Sequence, residues 1–149
     1  MNAHARLALT AQFDVDATTL PRRPTLRRWA AAALERDAEV TLRFVGAREA
    51  RTLNRRYRGL DRPTNVLTFV YDDGVSLAGD IVLCAPVIAR EARAQRKTLR
   101  AHYAHLVIHG MLHLQGYDHQ RDDAAAHMEA REIALLRRLG YANPYGGRG

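Results

Sequence analysis

The segment from His109 to His119, HGMLHLQGYDH, is the part of the sequence that most constrains the fold. His109 and His113 are four residues apart, so a helix would bring both imidazoles to one face, one turn apart. Gly116 follows, and glycine lets a chain leave a helix in a left-handed conformation that other residues resist. His119, three residues further on, can then fold back toward the first two. The segment therefore predicts a helix that ends at Gly116 and a loop that returns across its end.

Three histidines in this arrangement are typical of a zinc site. Three neutral imidazoles suit Zn²⁺, and three protein ligands leave a fourth position open for water, as in catalytic sites. Zinc can lower the pKa of such a water to about 7, and its charge would also attract a phosphate. We therefore predict one Zn²⁺ ion held by His109, His113 and His119.

The same segment matches a protease motif with one departure. The three histidines and the glycine have the offsets of the metzincin string H-E-x-x-H-x-x-G-x-x-H. Gly110, however, occupies the position of the glutamate that acts as general base in those proteases. The ligands are thus present without the protease's proton-transfer group.

Three further side chains lie in or beside the motif. His102 and His105 extend the same helical face, and we expect them to pack or to hydrogen-bond the ligands. Asp118 could orient a ligand or take up protons, or it could simply cap the loop. The pattern leaves both interpretations of Asp118 open.

Hydrophobic spacing predicts an α+β fold in which helices cover a small sheet. Alternating apolar residues predict strands at 7–13, 40–46, 66–71 and 80–84, the last two forming a hairpin around a turn at 72–74. Helical spacing predicts helices at 25–35, 47–57, 85–95, 98–114 and from about 122 to 140, with Thr25 and Thr98 as N-caps. We find neither a repeat nor a second domain, so residues 1–149 are predicted to form a single domain with a frayed tail at 143–149.

Charge and composition restrict the kinds of binding partner and of cellular compartment that we expect for this protein. The net charge is +7, nearly all of it from arginine, which favours a nucleic-acid partner, although a solvated basic surface explains it equally well. No apolar run approaches the roughly 20 residues that cross a bilayer. The start, MNAHARLALTAQF, lacks the pattern of a secretory signal. Because basic, acid-poor starts also occur in transit peptides, an organelle address is the alternative to a first strand. Cys84, the single cysteine, is expected to be buried in a reducing compartment. We predict a cytoplasmic protein with no membrane partner.

Together with NRRYRGLDRPTNVLTF (54–69) and GDIVLC (79–84), the histidine segment resembles the YbeY-type endoribonucleases, a family of bacterial rRNA maturation factors. The resemblance covers nearly the whole chain. It implies a zinc-dependent, single-strand-specific RNase that acts in 16S rRNA 3′-end maturation and ribosome quality control. Its expected partners are the 16S rRNA precursor, the 30S subunit and ribosomal or ribosome-associated proteins. The implied fold is a small mixed sheet with the metal-binding helix packed against it.

The resemblance also carries residue roles onto this chain. The family's metal ligands fall on His109, His113 and His119, and its functionally important arginine falls on Arg58. An arginine near the ion could hold a phosphate and stabilise the charge of the transition state. Arg55 and Arg56, in contrast, are expected to form the solvated face of a helix.

Two other functions remain as alternatives. One is a zinc peptidase or other small hydrolase with metzincin-like geometry, which the glycine at position 110 disfavours. The other is a non-catalytic RNA- or ribosome-binding protein whose ion is structural. Three histidines without cysteine disfavour it, because structural zinc sites usually close with four ligands and favour thiolate.

Overall fold

The computed structural model describes residues 5–146. Residues 1–4, which begin the segment examined for a signal, and 147–149, which end the predicted tail, lie outside the described residues. The strands are β1 (Leu7–Phe13), β2 (Ala38–Val45), β3 (Val66–Asp72) and β4 (Leu77–Cys84). The helices are α1 (Arg23–Ala32), α2 (Ala47–Arg58), α3 (Ala85–Ala94), α4 (Leu99–Leu114) and α5 (Asp122–Arg138). The predicted α+β class is confirmed.

The four strands form one mixed sheet in the order β1-β2-β4-β3. β1, β2 and β4 run parallel, whereas β3 pairs antiparallel with β4. The hairpin turn between β3 and β4 is closed by Asp72, which accepts from Gly74 N, and by Asp73, which accepts from Val75 N and Ser76 N. These contacts let the ladder reach from Asp72 to Leu77, so β4 begins three residues earlier than predicted.

Helix α4 is the centre of the core. It is buried along most of its length, and its apolar residues pack between the sheet and helices α1, α3 and α5. Two glycines set how closely it approaches β4: a Cβ at Gly79 would lie 2.6 Å from Leu114, and one at Gly110 would lie 2.9 Å from Ile81. The helix that carries the histidines is therefore held rigidly against the sheet, as the resemblance implies.

Several predicted boundaries are met, whereas α1 differs from the predicted helix 25–35 at both ends. Thr98 caps α4 by accepting from Ala101 N at 3.0 Å, and Cys84 is buried. Helix α1 begins at Arg23 and ends at Ala32, so Thr25 lies inside the helix and does not cap it. The reason is Pro24, which sits in the first turn, where a missing N–H costs nothing.

The C-terminal segment differs from the frayed tail that the sequence predicts, as far as residue 146. Lys97 donates from Nζ to the carbonyl oxygen of Pro144 at 2.9 Å. The Tyr145 hydroxyl donates to the carboxylate of Glu132 on α5. Residues 143–146 are therefore tied to the helical layer.

None of the described helices combines the length and the apolar character needed to span a membrane.

Candidate metal centre

The end of helix α4 brings the three histidines of the motif together. Gly116 has φ +103°, and its N–H donates to the carbonyl oxygen of His113 at 3.1 Å, which closes the helix and turns the chain back. The ring centre of His119 then lies 5.4 Å from that of His109 and 5.5 Å from that of His113. The two helical rings are 6.5 Å apart. The loop therefore returns as the sequence predicts.

The two distances to His119 fit a shared zinc ion, whereas the rings of His109 and His113 lie further apart than one ion requires. Imidazoles that bind one tetrahedral Zn²⁺ have ring centres about 5 Å apart, given Zn–N bonds of about 2 Å. The Nδ1 atom of His113 is buried without a hydrogen-bond partner in the described part of the chain, so no protein group competes for this ring. Burial, with a smaller contribution from the neighbouring His109 and His119, lowers the pKa of His113 and favours the neutral form that binds metals. The assignment of these three ligands stays a prediction.

A buried carboxylate stands behind the first of these histidines. Glu132 on α5 is 0% exposed, and its Oε2 lies 2.5 Å from Nδ1 of His109. Its Oε1 lies 3.3 Å from Nε2 of His105 and also accepts from the Tyr145 hydroxyl. Burial alone would raise the pKa of Glu132, but the hydrogen bonds from His105, His109 and Tyr145 lower it to about 2. Because Nδ1 of His109 is engaged by Glu132, Nε2 is the ring nitrogen of His109 that remains for a ligand in the cleft.

Sequence reasoning missed Glu132, although a signal was present. It lies four residues after Met128 and three before Leu135, on the buried face of α5. A carboxylate at a core-facing helical position needs a partner, because an unpaired buried charge is very costly. That position alone would have singled out Glu132.

The same network offers a second candidate set of ligands. Atoms of His105, His109 and Glu132 lie within 4.8 Å of one another and could hold a metal ion. We favour the three-histidine set. In the second set, His105 and His109 already hydrogen-bond Glu132 in the interior, whereas His109, His113 and His119 line an open cleft. His102, the next residue along the face, bonds Glu91 at 2.9 Å. Both outer histidines thus pair with carboxylates.

The cleft has a volume of about 340 Å³ and is formed by α4, the return loop, β3 and the end of α2. Its lining comprises Arg58, Thr64, Asn65, Val66, Leu67, Thr68, His109, His113, His119 and Gln120. Among these described residues none carries a carboxylate. The lining therefore suits an anion.

Arg58 reaches the cleft from the last residue of α2, which Gly59 ends in a left-handed conformation with φ +72°. Its arginine neighbours are engaged elsewhere: Arg51 bonds Asp61 at 2.8 Å, and Arg55 lies 3.9 Å from the same carboxylate. Arg58 makes no ion pair within residues 5–146. Its charge is therefore available to a ligand in the cleft.

Two further residues of the motif are placed by the structure. Asp118 accepts from Gln120 N at 2.9 Å, which supports the loop-capping interpretation. Gly110, at the position of the protease glutamate, faces Ile81 of the sheet, where there is no room for a side chain. A metzincin-type base cannot be accommodated at that position.

Comparison with known proteins agrees with these motifs. The family model described as "Endoribonuclease YbeY" matches residues 16–140. The protein named Endoribonuclease YbeY from Aromatoleum aromaticum is 59% identical over 146 residues, which cover 96% of this chain and 95% of the relative. The protein of the same name from Nitrosomonas eutropha is 56% identical over 137 residues, with coverages of 92% and 97%.

Among solved structures, the solution structure of a protein from Thermotoga maritima is similar to this chain with a TM-score of 0.62 and 26% sequence identity. The match covers 93% of this chain and 99% of that protein. The family match includes Arg58 and all three histidines of the cleft.

Proposed function

Because this chain belongs to the YbeY family, we propose that it is a zinc-dependent, single-strand-specific endoribonuclease that acts in 16S rRNA 3′-end maturation and ribosome quality control. The observation that carries the proposal is the character of the cleft. Three imidazoles and one unpaired arginine face it, and no carboxylate lines it in the described part of the chain. Such a surface suits a phosphodiester, because no negatively charged side chain of the lining repels the phosphate.

We assign His109, His113 and His119 as the ligands of one Zn²⁺ ion and Arg58 as a catalytic residue. When bound, the ion would supply a Lewis acid and a water of lowered pKa. The guanidinium of Arg58 would grip two phosphate oxygens and offset the charge that develops in the transition state. Thr64 and Thr68 line the same cleft and offer neutral hydrogen bonds to the sugar-phosphate backbone.

An exposed aromatic residue beside the cleft supports a single-stranded substrate. Tyr57 directly precedes Arg58 and is 59% exposed, and its ring makes a T-shaped contact with that of Phe69, with ring centres 5.1 Å apart. An unpaired base can stack on such a ring, whereas a paired base is held in its duplex. The net charge of +7 would attract the RNA backbone. The proposed partners are thus the 16S rRNA precursor within the 30S subunit, with ribosomal or ribosome-associated proteins, in the cytoplasm.

The two alternatives are less well supported by the same geometry. A peptidase of metzincin type would need a carboxylate base, and position 110 faces Ile81. A structural ion would be closed off by four ligands, whereas the three histidines border an open cleft.

The test is cleavage by purified protein of known zinc content. We expect it to cut single-stranded tails of structured RNA and of precursor 30S particles and to leave casein intact. His109→Ala, His113→Ala and His119→Ala should each lose most of the zinc and most of the cleavage. His127→Ala is the control, because His127 is an exposed histidine that stacks on Tyr117 and does not line the cleft.

Two results would contradict the proposal. Hydrolysis of casein by the unmodified protein would favour the peptidase. Full zinc occupancy in any one of the three variants would remove that histidine from the ligand set.

A further inference from the structure

Glu132 and Tyr145 have no part in the proposed chemistry, yet they lie directly behind the site. We infer that Glu132 is a positioning residue that fixes the ring of His109 in the one tautomer able to bind the ion, and that Tyr145 holds Glu132 in place for this task. The C-terminal segment thereby becomes a working part of the metal centre. The inference rests on the proposed zinc site and adds residues to it that the three-histidine motif does not contain.

The first step is the enclosure of the carboxylate. Glu132 is 0% exposed and lies on α5 between the buried residues Met128 and Leu136. Bulk water cannot hydrogen-bond such a group, so donors from the protein must do so. Its two oxygens have different partners. Oε2 lies 2.5 Å from Nδ1 of His109, while Oε1 hydrogen-bonds His105 and the Tyr145 hydroxyl.

The second step concerns the proton on His109. The two oxygens of Glu132 are surrounded by a hydroxyl and two imidazoles and act as acceptors, so Nδ1 of His109 donates its proton across the 2.5 Å contact. In the neutral ring, Nε2 then has a free lone pair, which a metal requires. The opposite tautomer would present an N–H at Nε2 and could not bind. Carboxylate partners of this kind commonly orient metal-binding histidines.

The third step is the tether formed by the C-terminal segment. Tyr145 approaches His105 edge-on, with ring centres 5.2 Å apart, and its hydroxyl occupies Oε1 of Glu132. The segment itself is held by the bond from Lys97 to Pro144 and by Asn143, whose Oδ1 accepts from Tyr145 N at 2.8 Å. Because Tyr145 and His105 fix one oxygen, the other remains directed at His109.

The test uses zinc-free full-length protein and long-range ¹H–¹⁵N NMR of the histidine rings at about pH 8, above the ordinary histidine pKa. We expect His109 to be protonated at Nδ1 alone in the unmodified protein. In Glu132→Gln the amide can either accept or donate, so His109 should become a mixture of tautomers. Zinc affinity, measured by competition with a chelator, should fall on the order of 10- to 100-fold.

A second variant and a control complete the design. Tyr145→Phe should shift both readouts in the same direction by a smaller amount, because it removes one of the donors to Glu132. Tyr141→Phe is the matched control: its hydroxyl accepts from Arg100 Nε at 3.1 Å, away from Glu132, so both readouts should match the unmodified protein.

The outcomes separate this inference from the proposed function. A folded Glu132→Gln protein that keeps the single tautomer and full zinc affinity would overturn the inference and leave the zinc site intact. If Glu132→Gln does not fold, unchanged readouts in Tyr145→Phe would overturn it. An unmodified protein that binds no zinc would instead overturn the proposed function, whereas the zinc-free tautomer would still report the action of Glu132 on His109.

Discussion

At the scale of single residues, Arg58 differs from the other arginines of α2 in what its charge faces. Arg51 and Arg55 are directed at Asp61, and Arg56 lies 5.8 Å from the Tyr57 ring, whereas Arg58 lines the cleft. This arrangement favours a single phosphate-binding arginine within an otherwise solvated basic helix face.

We therefore expect Arg58→Ala to reduce the single-turnover rate of RNA cleavage on the order of a hundredfold, as when one preorganised donor is removed from a transition state. Zinc content should stay unchanged, and RNA affinity should fall only modestly. Arg58→Lys should restore little of the rate, because lysine keeps the charge but loses the two-pronged grip.

Arg55→Ala is the control for Arg58, since it removes an exposed charge from the same helix. It should cleave at nearly the normal rate. If Arg58→Ala also cleaves normally, Arg58 has no catalytic role in this chain. If it unfolds, as judged by circular dichroism, Arg58 is instead a structural tie.

At the scale of elements, a bound ion would join the end of α4 to the loop that carries His119. Ligands that bind only the folded state stabilise it, by about 4 kcal/mol at a concentration a thousand times the Kd. Removing zinc with a chelator should therefore lower the Tm of the protein, on the order of 10 °C for a chain of this size.

Differential scanning calorimetry with and without chelator would measure this shift. His119→Ala provides the comparison, because it removes the ligand on the loop and leaves the helix intact. Its Tm should respond little to the chelator. A Tm of the unmodified protein that does not change on metal removal would show that no ion links the two elements.

At the scale of the whole molecule, the net charge of +7 should govern how RNA binds. Each phosphate that a protein neutralises releases counterions, so the logarithm of affinity falls with the logarithm of salt concentration, with a slope of about −0.7 per phosphate for single strands. For about four neutralised phosphates, affinity should fall roughly fiftyfold between roughly 50 and 200 mM salt.

Fluorescence anisotropy with a labelled single-stranded RNA would give this slope. In Arg58→Ala the slope should be shallower by about 0.7, the share of one phosphate contact. A flat response to salt would mean that the basic surface does not bind the RNA.

The sequence by itself determined the metal helix and its end. The histidines at 109, 113 and 119 fall within eleven residues, so the period of one helix and the glycine at 116 were enough to bring them together. The strands and the cap at Thr98 followed from local patterns in the same way. Local geometry repeats with a fixed period, which makes such features legible in a linear sequence.

Only the tertiary structure decided which distant residues complete the site. Arg58 enters the cleft because α2 ends beside β3, and Glu132 reaches His109 because α5 packs on α4. Tyr145 joins them from a segment that composition alone predicted to be frayed. These contacts cannot be predicted from a local period, because they form between elements that are far apart in the chain and pack against each other. The hydrogen-bond donors around a buried charge are therefore set by that packing.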